Sequence, residues 1–301
     1  MELRQLRYFV TVARTLNFSE ASRRLFITQG TLSQQIRQLE DEAGSRLFER
    51  TSHSVALTEA GEELLPLAIA TLEASDACLE RMKELRGSLT GTLNIGTTQS
   101  FITVVGEAVK SFMKEHRDVK LNVSVDTAAD LLEKLRDREI DMALAFRSIE
   151  KFEDIESEVL FKTSLCVVVR GDHPLAAHDS LRLSDLAGHG LILPGKGLQS
   201  RRAVDRFVGI DTSALDVRAE FNDPEAIMDM VQSTGLATIV SPIAACYRPK
   251  LRTIPLEGGK FVMTGCVHRL KEGYRKHSSE VFLSALRDAA SLERISGGLT
   301  M

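Results

Sequence analysis

The sequence predicts an α/β protein with a small winged helix-turn-helix head, and three observations support this. Apolar residues recur at three- and four-residue spacing over residues 3–43. Leucine returns every seven residues at Leu65, Leu72 and Leu79. From Gly91 onward, apolar runs of strand length alternate with amphipathic stretches of helix length. The chain has 301 residues, 43% hydrophobic and 27% charged. That suits two or three globular domains and argues against disorder. No stretch reaches the ~20 unbroken apolar residues of a spanning helix, so no membrane partner is expected.

In the head, the first helix carries Leu3, Leu6, Phe9, Val10 and Ala13 on one face. Asn17 or Ser19 caps a short second helix, whose buried side comes from Ala21, Leu25 and Phe26. Residues 28–31 form a tight turn with Gly30 as a hinge. The third helix spans about residues 32–43 and stops at Gly44. Leu32, Ile36, Leu39 and Ala43 share its core arc, and Gly30, Ser33, Gln34, Arg37 and Gln38 lie opposite, with no acid before position 40. In the major groove, Gln pairs with adenine, Arg with guanine, and Ser with bases or phosphates. The N-terminal part of such a helix does the reading. A solvated polar face would show the same residues, so both readings stand on this face alone. Residues 46–50 and 55–58 form a two-stranded wing. Arg50 at its base and His53 at its tip suit a minor groove or phosphate, with a plain surface hairpin as the alternative. The candidate DNA-facing set is Gln29, Gly30, Thr31, Ser33, Gln34, Arg37, Arg50 and His53.

Thr58 caps a long helix reaching about residue 86, interrupted by Pro66. Ala68, Ser75 and Met82 follow three residues behind each heptad leucine. Such a stripe is either a seam between two subunits, built on Leu65, Leu72 and Leu79, or packing against the helix's own head. Gly87, Ser88 and Gly91 mark a hinge. The expected organisation is a head at 1–58, a linker helix at 59–88 and an α/β region at 89–301. The last divides into one subdomain at about 91–161 plus 268–301 and another at about 162–267.

The α/β region begins with strands at 93–96, 119–125 and 140–146, separated by helices at 103–114 and 130–138. This βαβαβ rhythm implies a mainly parallel sheet. A second series places strands at 165–169, 190–193, 217–221 and 237–240, with helices at 200–208 and 224–233. A strand at 261–267 precedes a final helix at 278–292, which returns to the first unit. Ligands of such folds sit at the C-terminal ends of strands and between domains. The candidates are Thr98, Gln99, Ser100 and Phe101, then Thr127 and Phe146, then Pro194, Gly195, Lys196, Asn222 and Asp223. Hydroxyls and an amide at a helix start suit an anion, although helix capping explains the threonines equally well. Lys196, Arg201 and Arg202 imply an anionic ligand if they face the cleft, and a solvated helix start otherwise.

Charge is uneven along the chain. Eight arginines against six carboxylates leave residues 1–58 at +2, so the other 243 residues carry −6 of the total −4. A head at +2 binds phosphate weakly alone, and two linked heads gain through effective concentration. Cys78, Cys166, Cys246 and Cys266 form no C-x-x-C pair, and the seven histidines have no metal-site spacing. No G-x-S-x-G, Walker or dinucleotide motif occurs. No metal, resident cofactor or enzymatic activity is therefore expected. The first ten residues lack the apolar core of an export signal, so a cytoplasmic location is expected. A solute-binding protein of transport type would explain the α/β region but not the head, and an enzyme is a weaker alternative.

The head resembles the LysR-type transcriptional regulators. The resemblance rests on Leu3-Arg4-Gln5-Leu6-Arg7-Tyr8-Phe9-Val10, Phe18-Ser19-Glu20-Ala21-Ser22-Arg23-Arg24-Leu25, Leu32-Ser33-Gln34-Gln35-Ile36, Leu39-Glu40, Gly44, Leu47-Phe48, Arg50, Leu57-Thr58 and Ala60-Gly61. Weaker similarity continues through Gly91-Thr92-Leu93-Asn94-Ile95-Gly96, Asp141-Met142-Ala143-Leu144, His173-Pro174-Leu175-Ala176 and Gly235-Leu236-Ala237. It implies a winged helix-turn-helix, a dimerising linker helix and two subdomains resembling a periplasmic-binding-protein fold. It further implies double-stranded promoter DNA with dyad symmetry, self-assembly to dimers and tetramers, contact with RNA polymerase, and control by a small-molecule effector. Ser100 falls where a ligand-contacting hydroxyl often sits. Gly30 departs from the Pro or Ser that many members carry. Inside a helix Gly costs ~1 kcal/mol relative to Ala, and less at its start.

Overall fold

Helix α1 (Leu3–Thr15) buries Leu6, Phe9, Val10, Val12 and Ala13 in the computed structural model. The structure describes residues 1–51, 54–84, 89–148, 152–196, 198–208, 215–245, 248–257, 262–272, 274–291 and 299–300. Helix α2 (Phe18–Arg24) is capped by Asn17, whose side chain accepts from Glu20 N at 3.0 Å. Helix α3 (Gln29–Ala43) begins three residues earlier than the sequence suggests, because Thr28 takes the cap and its Oγ1 accepts from Thr31 N at 3.1 Å. It ends at Gly44, held at φ +67°, where a residue without Cβ avoids strain. Strands β1 (Phe48–Arg50) and β2 (Val55–Leu57) pair antiparallel as the wing. The Phe48 ring seals the head core against Phe9 at 5.4 Å and Phe18 at 5.7 Å between centroids.

Three residues expected in this core are exposed instead. Leu3 lies in the first turn of α1, beyond the arc set by Leu6, Phe9 and Val10. Ala43 is the last residue of α3, past its final core contact at Leu39. Phe26 follows α2 in a left-handed turn at φ +55°, which carries its ring out of the helical arc to 95% exposure.

Helix α4 (Glu59–Glu84) starts at Thr58, whose Oγ1 accepts from Gly61 N and donates to Arg46 O. Its Ala68 and Ile69 are buried in the head core, and Leu65 and Leu72 pack half-buried against it. Of the heptad leucines, only Leu79 is largely exposed, as are Met82 and Leu67. The first two leucines of the stripe are therefore committed in part to their own head, and the third is left open to solvent. The chain divides into two compact units, residues 1–88 with 272–276, and residues 89–271 with 277–301. The linker helix thus belongs to the head rather than forming a separate body.

The second unit contains β3 (Gly91–Thr97), a 3-10 turn at Gln99–Phe101, α5 (Ile102–Glu115), β4 (Val119–Val125), α6 (Ala128–Arg136), β5 (Met142–Phe146) and β6 (Ile155–Ser164). It continues through β7 (Cys166–Arg170), β8 (Leu191–Pro194), α7 (Gln199–Val208), β9 (Val217–Phe221), α8 (Pro224–Thr234), β10 (Thr238–Val240), β11 (Leu251–Pro255), β12 (Val262–Leu270), α9 (His277–Ser291) and β13 (Leu299–Thr300). The large sheet has the order β13-β6-β12-β5-β3-β4. β3 runs parallel to β4 and β5, but β12 runs antiparallel to β5 and β6. The mainly parallel expectation is corrected here, because a strand from late in the chain inserts between β5 and β6. In the second subdomain β7 lies antiparallel between β10 and β11, and β8 pairs parallel with β9. Helices α5 and α9 pack together through Phe112 and Phe282, 5.4 Å apart.

Candidate nucleic-acid interface and ligand cavity

The first turns of α3 present Gln29, Gly30, Thr31, Gln34 and Arg37 exposed, with Ser33 half-exposed. Ser19 Oγ donates to Gln29 Oε1 at 3.2 Å and ties the start of α3 to α2. A Cβ at Gly30 would meet only Thr28 Oγ1, at 3.9 Å, so no steric need explains the glycine. Arg50 makes its contacts within the head. Its guanidinium lies 4.3 Å from the Phe18 ring centroid and 3.5 Å from Glu40, and its side chain is only 30% exposed. Burial pushes its pKa down against the pull of Glu40, with Arg37 and Arg46 adding like-charge repulsion. Glu40 also accepts from Leu47 N at 2.9 Å, so Arg50 and Glu40 clasp the wing to α3. His53 lies outside the described residues.

In the second unit, a cavity of about 840 Å³ opens beside β5. Its walls are Ala143, Ala145 and Phe146 of β5, Ile155 and Ser157 of β6, His268 of β12, and Ala128, Ala129, Leu131 and Leu132 of α6. Arg147, Arg202 and Lys271 bring positive charge to it, against Glu153. His268 Nε2 lies 3.3 Å from Ala145 O and so carries the proton. Its Nδ1 then accepts from Ser157 Oγ at 2.8 Å.

Burial pushes the His268 pKa below the usual imidazole range, the bond to Ala145 O opposes this, and Arg147 lowers it further. A neutral buried imidazole gives a definite sign. The stability it contributes is intact above about pH 6.5 and is lost as pH falls from there toward the folded pKa, because the unfolded chain binds the proton more readily. His173 is lowered too, also by burial first. The comparison is therefore between wild type and His268→Gln. Chemical unfolding at about pH 7.5 and about pH 5.5 should show a smaller acid loss in the variant. Equal losses would contradict the neutral assignment.

Of the residues chosen from strand ends, Phe146 lines this cavity, while the others sit elsewhere. Phe101 is fully buried between Phe146 and Phe161, at 4.9 and 5.3 Å, so it is core rather than ligand surface. Thr127 and Asp223 cap α6 and α8, accepting from Asp130 N and Glu225 N. Pro194 is buried with its carbonyl on Arg201, and Gly195 N donates to Phe221 O. Lys196 and Asn222 are exposed. Thr98, Gln99 and Ser100 are half-buried, and the buried Thr98 hydroxyl has no partner among the described residues. Arg201 is buried on Asp205 and Glu220, at 2.6 and 2.7 Å, and is not a solvated helix start. Sequence reasoning missed Arg147, Ser157, His268 and Lys271. Only Arg147 had a signal, since it directly follows Phe146 at a strand end.

No group of three or more His, Cys, Asp or Glu side chains is placed to hold a metal among the described residues. No described helix is long and apolar enough to cross a membrane.

A winged helix-turn-helix joined to an α/β unit with a cation-bearing cavity defines a class, the ligand-responsive DNA-binding regulators. The chain belongs to the LysR family within it. Residues 3–62 match the bacterial regulatory helix-turn-helix protein, lysR family, and residues 86–291 match the LysR substrate binding domain. The RuBisCO operon transcriptional regulator of Allochromatium vinosum is 30% identical over 260 residues, covering 85% of this chain and 82% of the relative. The transcriptional dual regulator GltC of Bacillus subtilis is 32% identical over 244 residues, covering 80% and 81%. Among solved structures, a full-length OxyR variant from Pseudomonas aeruginosa superposes with a TM-score of 0.76 at 24% identity, covering 100% of this chain and 98% of that one. CbnR complexed with its target DNA gives a TM-score of 0.63 at 23% identity, covering 96% and 100%. These two show the shared fold. The chain is thus a DNA-binding transcriptional regulator with an effector-binding domain, and the transport-type alternative is set aside.

Proposed function

We propose that this regulator binds a promoter dyad as a cytoplasmic homo-oligomer, a tetramer of two dimer types, and responds to a small organic anion. The observation that supports the anion is the cavity beside β5, where Arg147, Arg202 and Lys271 stand over apolar walls. A carboxylate would meet the cations while its hydrocarbon part lies on Leu131, Leu132 and Phe146. Arg202 and Lys271 both line the cavity, Arg202 with its side chain exposed and Lys271 in the field of Asp154, which a ligand carboxylate would share. The DNA reading draws on the acid-free start of α3, with Gln29, Gln34 and Arg37 as base readers. The net +2 of each head favours binding by linked copies. Leu79 and Met82, exposed at the far end of α4, suit the seam between copies. Bound effector would alter contact with RNA polymerase, with no metal or resident cofactor required.

A melting screen of organic acids, amino acids and sulfur metabolites tests the anion. The matching acid should stabilise by ~2.7 kcal/mol at one hundred times its Kd, and Arg202→Ala should abolish most of that shift. A panel in which no acid shifts the melting temperature would contradict this reading.

A further inference from the structure

We propose that Phe26 is a DNA contact, its ring lying against thymine methyl groups in the major groove beside the start of α3. The proposal rests on the DNA-binding reading above and adds to it a residue whose spacing suggested core. Phe26 is 95% exposed at φ +55°. Its N–H donates to Arg23 O at 3.2 Å and the following Ile27 N–H to Ser22 O at 3.1 Å. That is the two-bond pattern closing a helix with a left-handed residue, a position that favours glycine because a β-carbon crowds the backbone there.

The head therefore tolerates a strained backbone and an aromatic ring in water at one residue. The core offsets neither cost, since the ring is almost wholly outside it. Leu16 closes α1 in the same left-handed conformation but is only 48% exposed, so it is the nearly complete exposure of an aromatic ring that sets Phe26 apart. The location indicates what the ring meets. Phe26 stands two residues before Thr28, the cap of α3, and the next three positions are the exposed Gln29, Gly30 and Thr31. Arg23 and Arg24, both paired with Glu20, flank it on α2. The start of such a helix enters the major groove, which places the preceding turn at the groove wall. The thymine 5-methyl, on the base edges between the groove walls, is the apolar feature of that groove, and Phe is among the side chains that contact it.

The test uses the full-length chain and a duplex enriched by the wild type from a random pool. Phe26→Gly should raise the melting temperature of the head, by relieving the left-handed strain, yet weaken the duplex about tenfold. Phe26→Leu should retain most of the affinity. Replacing thymines by uracils should weaken the wild type and leave Phe26→Gly nearly unchanged. Wild-type affinity in Phe26→Gly, or an equal uracil penalty in both chains, would overturn the contact while leaving DNA binding intact. A pool from which nothing is enriched would overturn the DNA-binding reading and this proposal together.

Discussion

Phe101→Ala should destabilise the α/β unit by about 3–5 kcal/mol, without acting first on ligand binding. The ring is fully buried and meets Phe146 and Phe161, and Val104 and Val105 of the following helix belong to the same core. Truncation removes apolar area from the core and leaves a void that neighbouring rings fill only in part. The two ring pairs are also lost, at about 0.5–1.5 kcal/mol each beyond area burial. A ligand residue would behave in the opposite way, with normal melting of the free protein and a reduced ligand shift. The chain has no tryptophan, so calorimetry or far-ultraviolet circular dichroism is the suitable readout. A variant that melts normally but ignores the matching acid would restore Phe101 to the ligand surface.

Gly61→Ala should unfold the head or destabilise it by about 3 kcal/mol or more. A Cβ at position 61 would stand 2.2 Å from Leu47 O and 2.9 Å from Leu57 Cδ2. The first of these is backbone, and it is not free to move. Leu47 O accepts from Thr58 N at 3.1 Å, and Thr58 also holds Arg46 O through its hydroxyl. Relief therefore requires α4 to lift from the wing, which exposes the Phe48 side of the core. Duplex binding should fall with the head's melting transition. An unchanged transition would show that the close approach of α4 to Leu47 is not needed for stability.

Local chemistry made much of this molecule readable. The caps at Asn17 and Thr58, the stop at Gly44 and the strand runs 119–125 and 217–221 declare themselves within a few residues. What stayed hidden depends on partners distant in sequence. The β6 strand opens on Ile155-Glu156-Ser157-Glu158, with one apolar residue in four, and it becomes a strand because β12, about a hundred residues later, supplies its ladder. The Arg201 reading failed for the same reason, since the buried position depends on Glu220 across α7 and β9. The Ser157–His268 wall of the cavity spans 111 positions, a pairing that no local pattern encodes. Phe26 shows the reverse limit, where spacing suggested core and a single left-handed turn removed it.

The place of β12 in the large sheet sets the order in which this protein can be made. The helices and wing of the head, with α4, have all been made once residue 84 has left the ribosome. The sheet has not, because the strand that joins β5 to β6 ends at Leu270. Until then, the facing edges of β5 and β6 wait without a partner, and such edges invite pairing with other chains. High sequence separation of this kind also slows folding. The nascent regulator therefore has the helices and wing of its DNA-binding head well before it has a sensor, and a chain cut short before β12 would carry the first without the second.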